Sequence, residues 1–240
     1  PLPSSWINGK RACGASPVRR RLQERKIPMS NVISKDYTDY FKGRDWVHML
    51  GFYAQDWRKF MTDHNRVFGS GPFFYTTNTF SRLLFHGDEV DCTGLEFHAA
   101  YGAWGSHTIE VVEPVPFSVP TMFSEINSEG EPGFNHLHIF VEDLEEAQDA
   151  CEFLKIPVIT VGYPDMANAI EKAKATGADV EAIIKNAGKA SFMVCDMRKE
   201  LGFAVQLITP RAQALHNAII GAKDKWDGSA ETMFIPLGGK

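Results

Sequence analysis

Cysteine is scarce in this sequence: the 240 residues contain four, and none forms a Cys-x-x-Cys pair. A zinc ribbon and a disulfide scaffold are therefore disfavoured, and reduced thiols in a cytoplasmic compartment are expected. No apolar run approaches the roughly 18 residues of a membrane span, so no membrane partner is expected. The sequence also lacks the Gly-x-Ser-x-Gly turn of an α/β-hydrolase, and the glycines at 69–72 lack the Lys-Ser/Thr ending of a phosphate loop.

Positive charge is concentrated near the N-terminus. Residues 1–28 carry a net charge of +6, which leaves −11 for residues 29–240 when the whole chain has −5. An acidic body argues against nucleic acid as a partner, because binding to phosphates needs a basic surface. The basic segment 1–28 is expected to lie outside the fold; a nucleic-acid arm and an Arg-rich transit sequence are the alternatives.

The first half of the chain has the pattern β-α-β-β-β. Asp56 is a candidate N-cap, and Gly69 and Gly71 are expected to end the helix that follows it. Residues 86–94 have the composition of a turn. The predicted elements are, in order, a strand at 47–54, a helix at 57–67, and strands at 73–80, 95–104 and 107–112.

The second half repeats this order with one addition. The predicted elements are a strand at 136–141, a helix that follows Asp143, a strand at 157–161, one or two short helices within 164–189, and strands at 190–195 and 203–208. Residues 117–133 have a linker composition that is rich in Ser, Glu, Gly and Pro. Residues 211–223 are predicted to form an amphipathic helix.

Two anchors recur in the halves and indicate an internal repeat. A strand followed by a helix-capping aspartate occurs at Asp56 and Asp143, and a strand that ends in proline occurs at Pro114 and Pro210. Two such halves, with histidine on an opening strand and Glu or Gln on the closing strands, resemble the vicinal oxygen chelate superfamily. That superfamily contains glyoxalase I, methylmalonyl-CoA epimerase, extradiol dioxygenases and bleomycin-resistance proteins.

Two segments make the resemblance more specific. Residues 132–143 (PGFNHLHIFVED) resemble the opening of the second half in the epimerase-like branch, and residues 225–228 (KWDG) resemble the ending of an uncharacterised glyoxalase-like bacterial subgroup. The resemblance implies an α+β fold in which two tandem βαβββ modules form a curved mixed sheet around a central cavity. The implied boundaries are 1–28 for the extension, 44–116 for the first module, 117–133 for the linker, 134–210 for the second module with its insertion 164–189, and 211–240 for the C-terminal helix and tail.

The resemblance also implies a divalent metal between the halves, with ligands on the first and last strand of each. Matched by position, these ligands are His136 and Gln206 in the second half and Glu110 in the first. Glu110 and Gln206 each lie four residues before the closing proline. Imidazole, carboxylate and amide oxygen are suited to Zn, Fe, Mn, Co or Ni.

The fourth ligand is open at this stage. His136 lies seven residues before Asp143, but Met49 lies seven residues before Asp56. His48 is one residue out of step, so in a regular strand its side chain would face the opposite side. A β-bulge between His48 and Asp56, for example at Gly51, would restore it. Either His48 is a metal ligand through a bulge, or this half has lost its ligand.

The candidate catalytic residues are Glu110, His138, His98 and Tyr101. Glu110 could bind the metal or act as a base, since the amide of Gln206 cannot accept a proton at neutral pH. His138 shares a strand face with His136 and could be a second base or a core histidine. His98 and Tyr101 could line the cavity or pack within the sheet.

The predicted function is that of a divalent-metal-dependent lyase or isomerase acting on a small oxygenated or acyl-CoA-type metabolite. The alternatives are an extradiol-type dioxygenase with His48, Glu110 and His136 around Fe(II), and a metal-free binding protein of the bleomycin-resistance type. The expected partner is a small molecule, and a homodimer is compatible with the pattern. The insertion 164–189 could cover the cavity as a lid, form a dimer contact, or be inert.

Overall fold

A computed structural model of the chain describes residues 35–44 and 47–237, and the elements below belong to the unit Asp36–Lys240. The basic segment 1–28 lies outside the described residues. In chain order the elements are β1 (Val47–Tyr53), α1 (Trp57–Phe68), β2 (Phe73–Asn78), β3 (Phe80–Phe85), β4 (Asp88–Val90), β5 (Glu96–Trp104), β6 (His107–Val115), α2 (Met122–Ile126), β7 (Gly133–Phe140), α3 (Leu144–Leu154), β8 (Val158–Pro164), α4 (Met166–Thr176), α5 (Val180–Lys185), β9 (Phe192–Met197), α6 (Arg198–Leu201), β10 (Phe203–Ile208), a 3-10 turn (Pro210–Ala212), α7 (Gln213–Lys223) and β11 (Phe234–Pro236).

The described strands form one 11-stranded sheet in the order β11-β2-β5-β6-β1-β7-β10-β9-β8-β3-β4. Strands β2, β5, β6 and β1 with helix α1 are the first βαβββ module. Strands β7, β10, β9 and β8 with helix α3 are the second, and its strands follow the same relative order. The modules meet where β1 and β7 pair in an antiparallel manner. The predicted α+β fold of two tandem modules is confirmed by this strand order.

A hairpin of β3 and β4, which the sequence did not predict, continues from β2 at the outer edge of the first module to β8 at the outer edge of the second. Only Thr79 separates β2 from β3, yet β2 pairs with β5 of the first module and β3 pairs with β8 of the second. The chain segment 73–85 therefore bridges the outer strands of both modules and brings the sheet around the cavity. The prediction of a turn over 86–94 was wrong at Asp88–Val90, which pairs with β3 as strand β4.

Local capping chemistry starts the two long module helices where the sequence predicted. The Asp56 side chain accepts a hydrogen bond from the backbone N–H of Lys59 at 2.8 Å. Asp143 does the same for Glu145 and Glu146 at 2.8 and 3.0 Å. Such caps satisfy N–H groups that have no partner within the helix. No helix among the described residues is long and apolar enough to cross a bilayer.

The segment 117–133 is not the plain linker that its composition predicted. Thr121 caps the short helix α2, and Met122 and Phe123 of this helix are buried. Both side chains pack in the same hydrophobic cluster as Met49, on the cavity face of the sheet. The segment 117–133 therefore supplies part of the cavity wall. Its composition did not indicate this, because two buried apolar side chains change the polar composition of the segment very little.

Strand alternation decides which side chains reach the cavity. On β5, Tyr101 belongs to the cluster on the cavity face, whereas its neighbour Ala100 packs on the side of helix α1. On β6, Val112 faces the cavity and Ile109 faces α1. Side chains two residues apart share a face, so Glu110 faces the cavity together with Val112.

Candidate functional site

The polar residues of the site lie in two neighbouring rows across the sheet. Strand pairing places four residues of the first row side by side on β5, β6, β1 and β7: Tyr101, Glu110, Gly51 and His136. Three residues of the next row lie on β1, β7 and β10: Met49, His138 and Gln206. Residues that are distant in sequence thus meet at the junction of the two modules.

Glu110, His136 and His138 form a buried cluster whose ligand atoms all lie within 4.8 Å of one another. Oε2 of Glu110 lies 3.1 Å from Nε2 of His138 and 3.5 Å from Nε2 of His136, and the two nitrogens are 2.8 Å apart. A metal at about 2.0–2.2 Å from each donor would hold its ligands about 2.8–3.6 Å apart, for bond angles between 90° and tetrahedral. Two imidazoles and one carboxylate therefore fit a divalent transition metal in both chemistry and spacing.

Two asparagines orient the ring of His136. Asn135 donates its side-chain N–H to Oδ1 of Asn127 at 2.7 Å, which leaves its own Oδ1 as an acceptor. This oxygen lies 2.8 Å from Nδ1 of His136, so Nδ1 carries the proton. The lone pair of Nε2 then points toward Glu110 and His138. Hydrogen bonds of this kind fix the tautomer of metal-binding histidines in many proteins.

Gln206 lies next to His138, beside the ring nitrogen that does not face Glu110. Its side-chain nitrogen lies 3.4 Å from Nδ1 of His138. An amide can present either an N–H or an oxygen to this nitrogen, so it supports either tautomer of the ring. The structure thus places the predicted ligand Gln206 at the site, where its side chain contacts the ring of His138.

Substitution of Gln206 by Leu is expected to weaken Co²⁺ binding by about 10–100-fold, the usual effect of losing a group that orients a ligand. Gln206→Glu should retain most of the affinity, because a carboxylate accepts the Nδ1 proton of His138. Competition with a chromophoric chelator measures both affinities. Gln148→Leu, at an exposed position of α3, is the matched control. Wild-type affinity in Gln206→Leu would contradict this role.

The pairing of β1 with β7 has two register shifts, one at His48 and one between Gly51 and Phe52, the region where the sequence analysis considered a bulge. At the second shift the extra residue is Asn135 of β7, so the bulge on β1 itself lies at His48. Val47 pairs with Ile139 and Met49 pairs with His138, so His48 is the extra residue. The bulge lets consecutive side chains face the same side, and both His48 and Met49 line the cavity. His48 and Met49 therefore both face the cavity.

His48 nevertheless lies outside the three-residue cluster. Its ring centre is 6.4 Å from that of His138 and 4.6 Å from those of Phe140 and His216. Burial lowers the pKa of His48 to about 3, so the imidazole is neutral at pH 7. The predicted ligand is thus a neutral histidine at the cavity wall beside the cluster.

The cluster has the protonation states that a cation requires. Burial by itself would raise the pKa of Glu110, but its close contacts with the imidazoles of His136 and His138 outweigh burial and hold that pKa below its usual range. Burial lowers the pKa of His136 to about 4. At neutral pH Glu110 is therefore a carboxylate and His136 is a neutral imidazole, which are the forms that bind metals.

The predicted residue Tyr101 adjoins Glu110 together with two polar residues that the sequence analysis missed, Lys172 and Asn78. The hydroxyl of Tyr101 accepts hydrogen bonds from Nζ of Lys172 at 3.1 Å and from the side-chain nitrogen of Asn78 at 3.3 Å. Burial and the nearby charge of Glu110 raise the pKa of Tyr101 well above its usual value. Burial lowers the pKa of Lys172 to about 8, so its ammonium group is still largely charged at pH 7. Lys172 lies on α4 among other charged residues, Glu171 and Lys174, so no local signal in the sequence marks it as a site residue.

The cavity next to these groups has a volume of about 270 Å³. Its walls include aromatic and aliphatic side chains from several elements: Met49, Phe80, Phe97, Val112, Met122, Phe123, Ile183, Phe192, Ile208 and Leu215. Residues from Met166 to Lys189 also line it, so the insertion 164–189 forms one of its walls.

His98 lies on the other face of β5, away from the cavity. It is three residues from Tyr101, and an odd separation places two side chains on opposite faces of a strand. Its Nε2 lies 3.0 Å from a carboxylate oxygen of Glu96 on the same strand. Of the candidate catalytic residues, Glu110, His138 and Tyr101 therefore line the cavity, whereas His98 does not.

No protein-family model and no curated protein matches the sequence. Solved structures that match include a methylmalonyl-CoA epimerase from Mycobacterium tuberculosis, with 12% identity, 68% of this chain and 87% of that chain covered, and a TM-score of 0.42. A hypothetical protein from Bacillus halodurans has 12% identity, coverage of 68% and 93%, and a TM-score of 0.37. A Streptomyces coelicolor methylmalonyl-CoA epimerase in complex with 2-nitronate-propionyl-CoA has 11% identity, coverage of 68% and 95%, and a TM-score of 0.39.

The strand order and the site of this chain define a two-module βαβββ protein with a buried His–His–Glu cluster beside a small cavity.

Proposed function

We propose that this protein is a divalent-metal-dependent lyase or isomerase that moves a proton on the carbon next to a carbonyl or enolate oxygen. Its substrate would be a small oxygenated or acyl-CoA-type metabolite. The cluster of Glu110, His136 and His138 carries this proposal, because its three donor atoms converge and Glu110 and His136 are in the protonation states that favour a cation. It also lies against a cavity of about 270 Å³, where a small molecule can reach it.

Each side chain has a separate task in such a reaction. A bound metal would supply Lewis-acid polarisation of a substrate oxygen. His136, His138 and Glu110 would hold it, and the protonated hydroxyl of Tyr101 would donate a hydrogen bond to oxygen charge that develops beside Glu110. At neutral pH the cavity-lining Glu110 is a carboxylate and His48 is a neutral imidazole. Lys172 and Tyr101 retain their protons. The apolar walls exclude water, which strengthens these electrostatic interactions.

A ring-cleaving dioxygenase is the second candidate, and the composition of the cluster favours it. Two histidines and one carboxylate with open positions are the ligand set of many non-haem Fe(II) oxygenases. The sequence analysis assembled this set from His48, Glu110 and His136, whereas His138 takes the place of His48 in the observed cluster. The two candidates share their ligands and differ in metal and co-substrate.

The test compares proton exchange with oxygen consumption. Protein loaded with Co²⁺, Mn²⁺ or Fe²⁺ is incubated in D₂O with 2-oxo acids and methylmalonyl-CoA, and NMR measures loss of the α-proton signal; parallel samples with catechols are followed with an oxygen electrode. We expect exchange at least about 100-fold faster than in Glu110→Gln, in the range that positioned acid–base groups provide. Oxygen uptake without exchange would favour the dioxygenase. If no metal binds, the result would favour a metal-free binding protein over both enzymes.

A further inference from the structure

Lys172 is a cation that the cluster does not use. It comes from α4 in the insertion and lines the cavity. Its ammonium group contacts two neutral oxygens, the Tyr101 hydroxyl at 3.1 Å and Oδ1 of Asn78 at 3.4 Å. Within residues 35–44 and 47–237, no carboxylate forms an ion pair with it. A charge withdrawn from water in this way is costly unless an opposite charge compensates it.

The nearest negative group already has other partners. Glu110 attracts Lys172 from the far side of Tyr101, but its carboxylate contacts the imidazoles of His136 and His138. Tyr101 and Glu110 are direct neighbours on β5 and β6, so a single side chain separates the ammonium group from the cluster. One small molecule can therefore reach both places at once.

We infer that Lys172 binds the carboxylate of the substrate and that the substrate is a small carboxylic acid with a second oxygen on a neighbouring carbon. This inference rests on the proposed function, since it assigns the second oxygen to the metal cluster. An ammonium group and a carboxylate form a charge-assisted hydrogen bond, about twice as strong as a neutral one. The side-chain nitrogen of Asn78, which donates to Tyr101 at 3.3 Å, adds amide donor chemistry at the same end.

The size of the cavity supports a small acid over a large ligand. Drug-sized ligands occupy pockets of about 300–1,000 Å³, and this cavity has about 270 Å³. A 2-oxo or 2-hydroxy acid of a few carbons fits such a volume. The insertion, which lies outside the repeated βαβββ pattern, would then determine which substrates the module pair accepts.

The test uses isothermal titration calorimetry with 2-oxobutanoate and its neutral amide, 2-oxobutanamide, on Co²⁺-loaded and on metal-free protein. We expect the wild type to bind the acid at least about tenfold more tightly than the amide. Lys172→Met keeps the length of the side chain, removes the charge and should abolish this preference, whereas Lys172→Arg should keep part of it. Lys174→Met, at an exposed position of the same helix, is the matched control and should behave as the wild type.

The outcomes separate this inference from the proposed function. A preference for the acid that persists in folded Lys172→Met, or a wild type that binds neither compound at millimolar concentration, would overturn the role of Lys172. Normal Co²⁺ uptake in that case would leave the proposed function standing. A preference that depends on Lys172 in a protein that takes up no metal would support the carboxylate site and overturn the metal-dependent reaction.

Discussion

His136→Ala is expected to bind Co²⁺ and Zn²⁺ at least about 100-fold more weakly than the wild type. The substitution removes one of three converging donors, whereas loss of a mere orienting group already costs about 10–100-fold. Glu110→Gln preserves the shape of the side chain but removes the negative charge, and it should lose affinity to a similar degree. Titration against a chromophoric chelator gives the affinities, and elemental mass spectrometry of protein purified without chelator gives the stoichiometry.

Two further variants serve as controls for this experiment. His107→Ala lies on β6 with Glu110 but is exposed, so its metal affinity should equal that of the wild type. His48→Ala should also retain metal, because the ring of His48 lies outside the cluster. Circular dichroism verifies that each variant is folded. Metal binding in folded His136→Ala at wild-type strength would contradict the assignment of the cluster.

Gly51→Ala is expected to destabilise the protein by about 1–3 kcal/mol, as over-packing of a filled interior does. A Cβ atom on Gly51 would lie 2.4 Å from Cε1 and Nε2 of His136, too close for any real contact. The ring of His136 lies directly over β1 and is fully buried, so it has no free space to move into. The same substitution should weaken Co²⁺ binding, because displacement of the ring moves one donor. Urea unfolding and the chelator titration measure the two effects.

Gly221→Ala is the matched control for this prediction. Gly221 lies within α7, and an added Cβ would meet no atom within 4 Å. Alanine is favoured over glycine in a helix interior by up to about 1 kcal/mol, so this variant should be as stable as the wild type or slightly more stable. If Gly51→Ala unfolds at the same urea concentration as the wild type, the ring of His136 is not held against β1 as described.

Much of the fold could be predicted because its signals are local. Asp56 and Asp143 cap their helices through contacts within three residues, and strand 203–208 was predicted with the bounds that the structure has. The repeated order of elements then indicated two modules. Helix α2 in the segment 117–133 was missed because a short helix with two buried side chains has no clear periodic pattern. The hairpin at 80–90 was missed because β3 follows β2 almost without interruption.

The candidate site was predictable only in part. The family resemblance implied His136 and Glu110 as site residues by their positions in the repeat, and the shared face of His136 and His138 followed from strand alternation. The same alternation already separates His98 from Tyr101, since the interval of three residues is odd. Local sequence can assign residues to a face in this way, but it does not measure the distance between residues on different strands.

The sequence by itself determined the order of the repeated elements, the starts of α1 and α3 and the face of each residue on a regular strand, because these depend on neighbours along the chain. Only the tertiary structure decided that His48 occupies a bulge outside the cluster, and that Lys172 of the insertion reaches Tyr101 of the first module. The physical reason is that register between distant strands and the docking of an inserted helix depend on contacts across the whole molecule. A bulge changes a side chain's face by inserting one residue, and the partner strand determines where it lies.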